Sequence, residues 1–120
     1  MSNDYNGIFG AALRSRVAVY VPGTSGPASA DPALAERMTE RTAAALSELF
    51  GGATISIAAG AWMSAEHGLI REQVQIVYSY CTEQQLADHA ADVRRIAEEV
   101  RDLMEQEAVS VEINNALYFI

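Results

Sequence analysis

A chain of 120 residues, half of them apolar and a fifth charged, is long enough for one hydrophobic core and too short for two. Its 16 acids outweigh 8 bases, and the resulting formal net charge of −8 excludes a general binder of the nucleic-acid phosphate backbone. A single cysteine, Cys81, excludes an internal disulfide.

Every base is an arginine and alanine is abundant, the composition of a GC-rich coding genome. No apolar run reaches the roughly 18 residues of a membrane span, and MSNDYNGIF lacks the basic-then-apolar order of a signal peptide. These features predict a cytoplasmic protein with no membrane partner.

Residues 1–14 read as an N-terminal arm, in which Ile8, Phe9 and Leu13 fit one helical turn docked on the domain or on a partner subunit. Residues 15–120 form the single domain. Val17, Val19 and Val21 alternate with Ala18 and Tyr20, the period of a strand. Pro22 ends it, and PGTSGPASAD (22–31) is a loop. Asp31 before Pro32 is a helix start, since the carboxylate caps free amides and proline suits the first helical position. Leu34, Met38, Ala45, Leu46 and Leu49 give this helix an apolar stripe, and Gly51-Gly52 terminates it.

Two long strands follow, about 53–63 and 69–81, folded back at Ala65-Glu66-His67-Gly68. Ile55 and Ile57 are expected inward on the first, and Gly60 suggests a bulge or a close backbone approach. On the second, Val74, Ile76, Tyr78 and Tyr80 alternate with Gln73, Gln75 and Ser79. The apolar set is expected to complete the core beneath the helices. Thr82 and Gln85 have capping-box spacing and open a second helix with Leu86, Val93, Ala97, Val100 and Met104 on its stripe. Val109–Ile113 is a strand, Asn114-Asn115 a tight hairpin turn, and Leu117-Tyr118-Phe119-Ile120 a final strand.

The order β-α-β-β-α-β, with two matching halves of about forty residues, predicts an α+β, ferredoxin-like sandwich with an extra C-terminal strand. Both helices would cover one sheet face. The other is expected to carry Ala18, Tyr20, Val77 and Trp62, an apolar patch that invites a partner. Tyr20, Val77, Trp62, Tyr118 and Phe119 are therefore the predicted interface of a homodimer, in which the uncharged run ATISIAAGAW would be an edge strand.

The motifs VYVP, FGGAT, GAW, VYSYC and a terminal LYF, spread over nearly the whole chain, resemble small uncharacterised proteins of phages and plasmids in GC-rich bacteria. That resemblance implies a ferredoxin-like fold and a mobile-element accessory role. It brings no catalytic residues.

Candidate ligand residues come from two places. Gly23, Thr24 and Ser25 precede a helix N-terminus and, with Arg16 and Arg37, could hold a phosphate or another small anion such as a nucleotide. The stretch PGTSG nevertheless lacks the Gly-Lys-Ser/Thr ending of a Walker loop. Tyr20, Tyr78, Tyr80 and Trp62 are the second group, aromatics able to line a pocket between sheet and helices. Cys81, just before the Thr82 cap, is either a thiol acidified by the helix start or a buried structural residue. His67, His89 and Cys81 match no metal spacing, and no cofactor is implied. No catalytic constellation stands out. The leading expectation is a non-enzymatic dimer that binds or sequesters a small ligand or host protein. The alternatives are a small dimeric ferredoxin-like enzyme with an aromatic-lined pocket, and an acidic mimic of nucleic acid.

Overall fold

The computed structural model describes residues 4–23 and 31–120. Within them are three helices and five strands: α1 (Asn6–Phe9), β1 (Ser15–Pro22), α2 (Pro32–Phe50), β2 (Thr54–Ser64), β3 (Gly68–Cys81), α3 (Glu83–Leu103), β4 (Ser110–Ile113) and β5 (Ala116–Phe119). The fold is α+β, with one antiparallel sheet in the order β2-β3-β1-β4-β5. No described helix is long and apolar enough to cross a membrane.

Local chemistry accounts for the element ends. Asp31 accepts hydrogen bonds from the amides of Ala33 and Leu34, and Gly51 closes α2 in the left-handed region at φ 92°. Thr82 and Gln85 form a reciprocal capping box on α3, a motif whose cap is worth about 1 kcal/mol. In the β2–β3 turn, Ser64 Oγ accepts from the amides of Glu66 and His67. Asn114, at φ 54°, turns the β4–β5 hairpin, and its side chain accepts from the Arg16 amide at 2.9 Å.

α1 supplies the helical turn, with Ile8 and Phe9 exposed and not packed on the domain of their own chain. The core lies between the sheet and helices α2 and α3. Val17, Val19, Val21, Val77, Cys81 and Val111 meet Met38, Leu46, Val93, Ala97 and Val100 there. Burying a side chain of that size contributes about 1.5–3 kcal/mol.

The register decides which residues face away from the helices. Val19 pairs with Val77, so Val77, Ser79 and Cys81 share the helix-covered face with the β1 valines. Tyr78 pairs with Ala18, Tyr80 with Arg16 and Ile76 with Tyr20, which puts all of them on the bare face. The β3 assignment from sequence is therefore inverted. Alternation fixes which residues go together, but a strand has two faces and only pairing says which is covered. Ser79 and Cys81 are small, and the Ser79 hydroxyl donates to the Gly52 carbonyl at 2.6 Å, tying β3 to the end of α2. Val77 is fully buried in the core and is not an interface residue.

Candidate active site

The bare sheet face holds two groups of chemically capable side chains. Nearest the sheet centre is a cluster around Arg16. Its guanidinium lies over the Tyr78 ring, 4.0 Å from the centroid, and 6.0 Å from that of Tyr80. Tyr78 and Tyr80 meet edge to face at 6.1 Å. Arg16 Nε is 3.7 Å from Glu112 Oε2, and the Tyr20 hydroxyl donates to Glu112 Oε1 at 3.0 Å. β4 brings Glu112 here because it pairs with Ala18 on the same face. Burial pushes the Tyr20 phenol above its ordinary range, and the hydrogen bond and charge of Glu112 push it the same way. For Arg16, burial disfavours the cation, but Tyr80 and Glu112 outweigh it and the pKa is raised.

Towards the far end of the β2–β3 hairpin the same face opens into a groove of about 620 Å³. Tyr20, Val74, Ile76, Trp62 and Phe119 wall it, and Glu72 is the one carboxylate among the described residues lining it. Gly60 pairs directly with Glu72, and Trp62 lies one step diagonal to it. Continuous pairing through Gly60 shows no bulge. A Cβ there would meet only the Glu72 carbonyl oxygen, at 3.8 Å, and the Glu72 residue itself is exposed. Trp62 Nε1 donates to Glu72 Oε1 over 3.3 Å, long for such a bond. The site thus offers an aromatic plate beside an accessible carboxylate in a mostly apolar trough. Such a pairing suits a ligand with a flat ring and a positive charge.

Of the residues singled out from sequence, Arg16, Tyr20, Tyr78, Tyr80 and Trp62 all lie on this face. The pocket expected between sheet and helices is not where the tyrosines point. Arg16 and Gly23 sit at opposite ends of β1, roughly 23 Å apart at strand rise, so they do not converge on one phosphate. Arg37 is exposed on α2. Thr24 and Ser25 lie outside the described residues. Phe119 projects to the bare face, whereas Tyr118, paired with Val111, faces the other way. His67 is exposed at the hairpin tip, 3.7 Å from Glu66. Cys81 is buried, and burial pushes its thiol up instead of acidifying it. Among the described residues no three His, Cys, Asp or Glu side chains converge as metal ligands. Glu72 and Glu112 were missed in sequence. The signal for Glu112 is its place as the one charged residue of VSVEI, and for Glu72 the glycine that only the register sets opposite it.

No protein-family model and no curated protein matches the chain. Solved structures do. A phage SAM lyase in complex with S-methyl-5′-thioadenosine is 17% identical with a TM-score of 0.65, covering 92% of this chain and 91% of that one. A phage SAM lyase in its apo state is 18% identical with a TM-score of 0.60, covering 88% and 87%. At such identities the likeness establishes the fold. It also overturns the expectation of a non-enzymatic binding or sequestering protein, because the neighbours of this shape and length are an enzyme. The small-enzyme alternative fits them better.

Proposed function

We propose that the protein is a small lyase that cleaves S-adenosylmethionine, or a close sulfonium relative, in the groove between Trp62 and Glu72. The observation that carries this reading is an aromatic side chain paired with an uncovered carboxylate in a trough of about 620 Å³, in a chain with the fold of a SAM lyase. Trp62 offers its ring to the adenine. Glu72 offers its charge to the cationic part of the substrate and is placed to accept a proton. A sulfonium leaves as a neutral thioether, so no general acid is needed at sulfur. The bond from sulfur to the four-carbon chain breaks with its electron pair going to sulfur, and S-methyl-5′-thioadenosine departs. The electrons that replace the bond come from the substrate, through its own carboxylate or through a C–H bond that loses its proton. The net charge of −8 favours a cationic substrate at long range.

Two further readings accompany it. The strand order β2-β3-β1-β4 with α2 and α3 on one face supports a ferredoxin-like core, to which β5 is an added edge. The apolar character of the bare face supports self-association through it.

The test is incubation of purified protein with S-adenosylmethionine and chromatographic assay for S-methyl-5′-thioadenosine. Wild type should release it, Glu72→Gln should lower kcat at least about a hundredfold, and Trp62→Ala should mainly raise KM. Absence of the thioether product with wild type would overturn the reading.

A further inference from the structure

Glu72 and Glu112 share the bare sheet face but have different neighbours. Glu72 lines the groove and is exposed. Glu112 is not among the described residues lining it, and both of its carboxylate oxygens are engaged by the protein. Oε1 accepts from the Tyr20 hydroxyl at 3.0 Å, and Oε2 stands 3.7 Å from Arg16 Nε. Arg16 is itself seated on the Tyr78 ring. Contacts therefore run from Tyr78 on β3 through Arg16 on β1 to Glu112 on β4. They end on Tyr20, whose side chain does line the groove.

Tyr20 needs such an anchor because of where it stands. It lies on the central strand, on the face that the helices leave bare, and it is only half-buried. A core side chain is held in one rotamer by close packing all round. Tyr20 has no such cover. The register also sets the direction of the anchor: Tyr20 pairs with Ile76, while Glu112 pairs with Ala18, two residues back along β1. The hydroxyl is thus drawn towards the Arg16 end of the sheet. Glu72 lies the other way, four residues (76 − 72) along β3 from Ile76.

We propose that Glu112 is a positioning residue for the groove. It holds the Tyr20 side chain in place as groove wall before a ligand arrives, and Arg16 holds Glu112. The choice of ligand rests on the lyase reading, whereas the positioning role does not require the chemical step. A Tyr20 released from Glu112 regains its rotamers and must be ordered again by each ligand that binds. That ordering costs a factor of roughly two to ten in affinity.

Titration with S-methyl-5′-thioadenosine tests it, followed by the fluorescence of Trp62, the chain's one tryptophan and itself a groove residue. Wild type should bind saturably. Glu112→Ala and Tyr20→Phe should each weaken binding roughly two- to tenfold. Glu112→Gln keeps a neutral acceptor for the hydroxyl and should bind within about twofold of wild type. The double variant Glu112→Ala with Tyr20→Phe should bind no worse than the weaker single, because both changes remove the same contact. In the cleavage assay, Glu112→Ala should raise KM by the same factor with kcat little changed. Losses that multiply in the double variant, or wild-type affinity in Glu112→Ala, would overturn the proposal. A wild type that does not bind overturns it together with the lyase reading. The expected binding pattern without cleavage of S-adenosylmethionine supports the positioning role and overturns the lyase reading alone.

Discussion

The guanidinium of Arg16 stacks on the ring of Tyr78 at 4.0 Å, on the side of the sheet that the protein's own helices leave bare. The same arginine stands 3.7 Å from Glu112, and its backbone amide is held by the Asn114 side chain. One residue thus ties β3 to β1 through a ring, and β1 to β4 through a carboxylate. Arg16→Met should lower stability by about 1–2 kcal/mol, the combined scale of a partly desolvated cation–π contact and an ion pair. Arg16→Lys should recover less than half of that, because an ammonium cannot lie flat on the ring. Urea unfolding monitored by circular dichroism reads both.

Tyr20 gives a pH prediction. Burial first, then the hydrogen bond and charge of Glu112, raise its phenol above the ordinary value of 10.0. A group whose folded pKa is raised contributes stability that is complete below the unfolded pKa and is lost as pH rises through the folded one. Stability should therefore fall above about pH 10, and Tyr20→Phe should show a shallower decline. Glu112→Gln should move one phenol ionisation back towards the ordinary range in an ultraviolet absorbance titration.

Leu46 and Val93 sit at the centre of the core, with 0% and 1% of their surface exposed. Replacing either with aspartate buries a charge that has no partner, a change in the class that exceeds about 4 kcal/mol. Neither variant should give a cooperative melt by circular dichroism.

Much of the fold could be read in the chain because its signals are local. Asp31-Pro32, Thr82 with Gln85, Gly51 and Asn114-Asn115 each act within a few residues, and each does what its chemistry requires. The faces of β3 were not legible in the same way. Val74, Ile76, Tyr78 and Tyr80 form the more apolar half of the strand, yet they point away from the helices. That outcome is fixed by pairing with Val19, a contact between residues 58 positions apart in sequence (77 − 19), which no local pattern encodes. The site was half legible for the same reason. Its aromatics announce themselves by type, whereas Glu72 and Glu112 become site residues only once the register sets them beside Trp62 and Tyr20.

Cys81 ends β3 directly before the α3 cap, a position that suggests activation by the helix. Its side chain is fully buried instead, and burial raises the thiol pKa. A chromogenic disulfide reagent should therefore react at least about a hundredfold more slowly with native protein than with unfolded protein, as expected of an inert structural thiol. Comparable rates in the two states would contradict the burial of Cys81 in the core.

Self-association through the bare sheet face is the last expectation, and it rests on how β3 divides its residues. The strand turns Gln73 and Gln75 towards its own helix and Ile76, Tyr78 and Tyr80 away from it. In a lone domain Arg16 covers part of the Tyr78 ring, but much of this apolar surface is left facing water. Phe119 (72% exposed), Trp62 (52%) and Tyr80 (51%) extend the same face. A second copy laid against it would remove this surface from water at about 25 cal/mol per Å² before the costs of association, and must leave the groove walled by Trp62 and Phe119 open at one end for substrate. Sedimentation equilibrium at tens of micromolar protein should give a mass above that of the monomer. Deleting residues 117–120 is a poor test, because Ile120 packs on the core and pairs with Val109. Phe119→Glu and Tyr80→Glu are better, as both side chains point away from the helices. Each should shift the protein to monomer with its helical circular dichroism unchanged. A monomer mass for wild type would rule the association out, and unchanged assembly in both variants would move it to another surface, the uncharged edge of β2 being next.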